Sequence, residues 1–130
     1  MRHHAVVDWE KKLKQVFDVI DDELEHLYGD RYPLHPARPK KGSTSNREHD
    51  GLFRIGAAFS AGFGSKHGRG YIVEVRMVTA KAVCDAFRVK VEKLVVKRLR
   101  EALPKAFPGR DLRVSLDGHV YKIHGDLKPV

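Results

Sequence analysis

Leu112-Arg113-Val114-Ser115-Leu116-Asp117-Gly118-His119-Val120-Tyr121-Lys122-Ile123-His124 alternates apolar and polar residues on both sides of an Asp-Gly pair. Period-two alternation interrupted by Asp-Gly is the pattern of an antiparallel hairpin. With Asp117 and Gly118 at the centre of a type I′ turn, Leu116 faces His119, Ser115 faces Val120, Val114 faces Tyr121, Arg113 faces Lys122 and Leu112 faces Ile123. Directly opposed residues share a face. Leu112, Val114, Tyr121 and Ile123 then point inward, and Arg113, Ser115, Lys122 and His124 point outward.

A second hairpin lies upstream. In 52–63, Phe53, Ile55, Ala57, Phe59, Ala61 and Phe63 alternate with Arg54, Gly56, Ala58, Ser60 and Gly62. In 71–78, Tyr71, Val73, Val75 and Met77 are the inward set, with Glu74 and Arg76 outward. The glycine-rich segment 62–70 joins the two strands as a mobile loop.

Each hairpin follows a helical pattern. Val6, Trp9, Leu13, Val16/Phe17, Ile20, Leu24 and Leu27 recur at steps of three and four, which predicts a helix over 6–28 ended by Gly29. Val83/Cys84, Phe87, Val91, Leu94/Val95, Leu99 and Ala102/Leu103 predict a second helix over 80–107, with Pro104 a point where it breaks. Cys84 reads as a small core residue. The connection 29–51 is rich in proline and serine, a composition that disfavours helix and central strand. The whole chain, 1–130, reads as a single α+β domain in α-β-β-α-β-β order. Its simplest packing is a two-layer sandwich, with a four-stranded antiparallel sheet and two helices on one face.

Composition narrows the partners. Hydrophobic residues make up 42% and charged residues 32% of the 130, too apolar for a wholly disordered chain. No apolar run is long enough for a membrane span, and the single cysteine excludes an internal disulfide, which together point to the cytoplasm. The net charge of +8 is unevenly placed: residues 1–30 carry four Lys/Arg against eight Asp/Glu, and the remainder is strongly basic.

The sheet face away from the helices is where that charge becomes specific. It is expected to carry Arg54, Arg76, Arg113 and Lys122 against Glu74, beside the strip Gly56, Ala58, Ser60 and Gly62. An anionic partner would relieve the opposed Arg113 and Lys122, and the strip lets it approach the backbone. Lys66 and Arg69 on the glycine-rich loop, with Lys40 and Lys41 on the long connection, would assist. An ordinary solvated face, or a strip covered by the long connection or another subunit, would give the same pattern. Lys90, Lys93, Lys97 and Arg100 form a stripe on the second helix, read as neutralising the acidic Asp18, Asp21, Asp22 and Glu25 of the first. Val89, Val96 and Leu103 widen its apolar arc toward the first helix or a second protomer.

The leading expectation is a small basic nucleic-acid-binding domain, RNA ahead of DNA, with another polyanion as the alternative partner and no membrane. A second is an enzyme or anionic small-ligand binder between the 29–51 and 62–70 loops, with His35, His49, Asp50 and His67 as candidate catalytic residues. A third is a protein-interaction module or homo-oligomer. Neither a metal nor another cofactor is expected, because no His pair has zinc spacing and the glycine-rich loop leads into a strand, not a phosphate-binding helix.

Overall fold

The last hairpin turns one residue later than its Asp-Gly pair implies. In the computed structural model, which describes residues 4–127, Asp117 pairs with Val120, so Gly118 and His119 form the turn. Gly118 has φ 67°, and no non-glycine residue among those described has a positive φ. A left-handed glycine at the first central position alone is the type II′ pattern; type I′ needs both central residues left-handed. Ser115 therefore faces Lys122, and Arg113 faces His124. A slip of one residue on each strand leaves every side chain on its expected face but changes its neighbour. The expected Arg113–Lys122 opposition does not form.

The elements are α1 (His4–Tyr28), β1 (Phe53–Ser60), β2 (Gly70–Met77), α2 (Asp85–Ala106), β3 (Leu112–Asp117) and β4 (Val120–Gly125), with a 3-10 turn at Arg47–His49. This is the expected α+β order. The four strands form one antiparallel sheet in the order β1-β2-β4-β3. The two hairpins join where Tyr71 pairs with Ile123 and Ile72 with Lys122.

One core holds both helices against one face of the sheet. Trp9, Leu13, Phe17, Ile20 and Leu24 come from α1, and Phe87, Val91, Val95, Val96, Leu99 and Leu103 from α2. Phe53, Ile55, Tyr71, Val73, Val114 and Ile123 come from the sheet. Each fully buried side chain of this kind stabilises by about 1.5–3 kcal/mol. Trp9 closes one end, its ring centroid 4.1 Å from that of Phe107.

Several boundaries differ from the periodic reading. α2 starts at Asp85, with Cys84 as its exposed N-cap and not a core residue. Pro104 lies inside α2 without ending it, because in the last turn its ring costs one intrahelical hydrogen bond. Val96 and Leu103 are buried while Val89 is exposed. Phe59 and Phe63, both expected inward, are 57% and 96% exposed. Phe59 is one residue from the end of β1 and rests edge-on against Tyr71, centroids 5.6 Å apart. Phe63 lies beyond the strand, where alternation no longer sets direction.

Candidate functional site

The glycine-rich loop folds back onto the open face of β3 and β4. Asp117, placed at the end of β3 by the late turn, accepts hydrogen bonds from the backbone N–H groups of Lys66 (3.0 Å) and His67 (2.9 Å). Lys122 donates to Asp117 Oδ2 (3.0 Å), Ser65 Oγ (3.0 Å) and the Gly68 carbonyl (2.7 Å). These acceptors satisfy an ammonium that is only 2% exposed. The His67 and Lys66 N–H groups, then Lys122, hold the Asp117 carboxyl far below the usual carboxylate range. The His67 ring stacks on that of His124 at 4.3 Å, and His124 Nε2 lies 2.9 Å from Ser115 Oγ. Burial, then the charges of His67, Arg113 and Lys122, push His124 below its ordinary value.

The segment is thus a pinned platform, not the mobile loop its composition implies. At its start the Ser65 N–H donates to the Gly62 carbonyl at 3.0 Å, and Gly64 has φ 74°. A left-handed glycine at the third position is the type II arrangement, with Phe63 at the preceding corner. A Cβ on Gly62 would meet the Gly68 carbonyl, so the neck of the loop closes only around glycine. Phe63, Lys66 and Arg69 are exposed on this platform, and neither cation forms an ion pair among the described residues.

A second basic group lies at the other end of the β1–β2 hairpin. Arg54 and Arg76 are directly opposed, both exposed, with no acidic partner among the described residues. Arg38 stands close by: burial, then the Arg54 charge, lowers its pKa. Its guanidinium donates to the carbonyls of Gly51, Asp50 and Phe53. Arg54 and Ser60, where the loop begins, are six residues apart along β1, roughly 20 Å. Gly56 and Ala58 lie between them, and the Gly62 N–H reaches Ser60 Oγ at 3.2 Å. Glu74 opposes Gly56, and the Glu48 carboxylate would lie 3.6 Å from a Cβ there. The small-residue strip therefore has two acids at its midpoint.

The remaining candidates separate. Lys122 is internal, and Lys41 is bound to Asp21 and Asp22 at 3.0 Å each. Arg113 pairs with exposed Asp111 at 3.2 Å. Lys40 is exposed beside a cavity of about 850 Å³ between α1 and the long connection. That cavity is also lined by Asp22, Glu25, His26, Asp30 and Lys41, a mixed set of charges and not a basic one. The 29–51 connection packs at the Phe53 end of β1 and the glycine-rich loop at the Ser60 end, so His35, His49 and Asp50 do not meet His67.

Asp50 is instead an anchor. Its Oδ2 accepts from the Gly42 and Thr44 N–H groups and the Thr44 hydroxyl. Burial raises its pKa, but those hydrogen bonds and Lys41 outweigh it and leave the carboxyl below its ordinary value. Asp21 goes the other way: burial raises it to about 7 against the pull of Lys41. One oxygen of each carboxylate, Asp21 Oδ2 and Asp50 Oδ1, is buried without a hydrogen-bond partner. No group of three His, Cys, Asp or Glu among the described residues is arranged to hold a metal ion.

The acidic surface of α1 is neutralised mainly by the long connection, not by α2. Asp21 and Asp22 bind Lys41, Arg47 reaches Asp22, and Glu25 accepts from the Phe53 N–H. Glu23–Arg98 at 2.8 Å joins the two helices. The sequence does not single out Arg38, and it places Phe63 inward and Asp21 on an acidic surface, though Phe63 and Asp21 leave a trace of their actual settings. Phe63 is bracketed by glycines, and Asp21 falls on the buried arc between Phe17 and Leu24.

The profile of a family described as "Uncharacterised protein" matches residues 4–125. A protein of Borreliella burgdorferi, described as "Uncharacterized protein", is 41% identical over 106 residues, covering 82% of this chain and 83% of that protein. No solved structure matches the chain.

Proposed function

The chain belongs to the family described as "Uncharacterised protein", and from its own geometry we propose that it binds nucleic acid, RNA first, through the open sheet face and the pinned loop. The observation that carries this reading is the opposed, unneutralised Arg54–Arg76 pair. Two cations held face to face on a strand pair are mutually repulsive, and a phosphate between them turns that repulsion into binding. Lys66 and Arg69 supply a second contact at the other end of the hairpin, so an extended anion about 20 Å long reaches both. Glu48 and Glu74 at the midpoint favour phosphates at the two ends over an anion centred on the strip. Recognition is mostly electrostatic and weakly selective for sequence.

Lys122 and Lys41 take no part in this binding, because Lys122 is buried against Asp117 and Lys41 is engaged by Asp21 and Asp22. The setting is the cytoplasm, where the exposed Cys84 stays reduced. No helix of the described residues is long and apolar enough to cross a membrane. The test is a titration of single-stranded RNA at increasing salt. Contacts to about three phosphates give a log–log slope near −2. No binding at low salt would refute the reading.

A further inference from the structure

We propose that Phe63 is a base-stacking residue that makes this site favour single-stranded over duplex nucleic acid, an inference that rests on the binding reading above. At 96% exposure the phenyl ring has almost no packing role in the domain, so the fold does not account for its presence. The backbone beneath it is built with unusual care. Phe63 occupies the corner of the type II turn closed by Gly62 and Ser65, and Ser65 is tied in turn to the Gly68 carbonyl and to Lys122. The loop is then fastened to the sheet through Asp117. A side chain presented on a fastened backbone loses less freedom on binding than one on a slack loop.

The surroundings select the occupant. Lys66 and Arg69 are exposed on the same loop, and Ser60 at the neck leads onto the open strip toward Arg54 and Arg76. An aromatic face beside cations that follow a backbone is the arrangement that holds single strands: the ring stacks on one base and the cations take the phosphates. A duplex offers the phosphates but keeps its bases stacked on one another, so the ring gains nothing there. A purely electrostatic partner would use the cations and leave the phenyl idle.

The experiment compares the intact chain with Phe63→Ala and Phe63→Trp, by fluorescence anisotropy on a single strand of about 12 nucleotides and its duplex. The expected result is that Phe63→Ala weakens single-strand binding about tenfold, leaves duplex binding within about twofold, and that Phe63→Trp restores or exceeds the original affinity. Equal losses on both nucleic acids, or none on either, would overturn the stacking role while leaving the electrostatic reading intact. Absence of any nucleic-acid binding by the intact chain would overturn both. A parallel arm uses phosphatidylserine/phosphatidylcholine vesicles: Phe63-dependent capture by vesicles, without single-strand preference, would assign the ring to a lipid surface and overturn the proposal. Unchanged thermal unfolding of both variants is expected from the exposure of the ring.

Discussion

Lys122 Nζ and Asp117 Oδ2 lie 3.0 Å apart with both side chains buried, and together they fasten the glycine-rich loop to the sheet. Removing one member of a buried pair leaves the other charge without compensation, which costs more than the pair itself contributes. Lys122→Met is expected to lower the melting temperature by roughly 10 °C. It should also increase hydrogen exchange at the Lys66 and His67 amides, which donate to Asp117. Calorimetry and exchange mass spectrometry check this; an unchanged exchange rate would mean that the pair does not hold the loop.

Asp117 also gives an acid limit. Its carboxyl is depressed, chiefly by the His67 and Lys66 N–H groups. A depressed acid contributes stability above its unfolded value near 3.8 and loses it as pH falls toward the folded value. Unfolding followed from pH 5 downward should steepen below about pH 4, and Asp117→Asn should remove that step.

Asp21 predicts the opposite slope. Its carboxyl is raised from 3.8 to about 7 by burial, so the folded chain holds a proton that the unfolded chain has released. Stability from this group is present below pH 3.8 and declines as pH rises to about 7. Asp21→Asn should flatten this decline and leave the variant more stable at pH 8 by on the order of 2 kcal/mol. Chemical denaturation at pH 5 and pH 8 checks the sign. A variant less stable at pH 8 would show that the Lys41 ion pair outweighs burial.

Arg54 and Arg76 should separate stability from binding. Arg76→Thr removes a like-charge opposition and is expected to raise stability by about 0.2–1 kcal/mol, while weakening binding to RNA. A variant that loses both stability and binding would show that Arg76 has a structural role.

The hairpins, both helices and their layering were legible because burial imposes periods of two and about 3.6 on the sequence. Phe53, Ile55, Val73, Val91 and Leu99 all lie where those periods place them. The turn at Gly118-His119 was not legible, because Asp-Gly fits a type I′ centre and only the pairing of Asp117 with Val120 selects the alternative. That one-residue difference governs the site. It turns Asp117 from a turn residue into a loop anchor, and Lys122 from a surface cation into the partner of Asp117. Asp21 and Lys41 were obscured for a related reason: a charge run on a helix looks solvated until a distant lysine is seen to cover it. Arg54 and Arg76 could be placed on the open face because strand alternation alone determines it, and their direct opposition needed the register of β1 and β2.

The most direct test of the account is the salt dependence of RNA binding by the intact chain and by the Arg54→Gln/Arg76→Gln double variant. If the opposed arginines share a phosphate contact, the log–log slope should become shallower by about 0.7, the share of one phosphate on a single strand. An unchanged slope, with affinity also unchanged, would contradict the claim that this face is where the chain meets its anion.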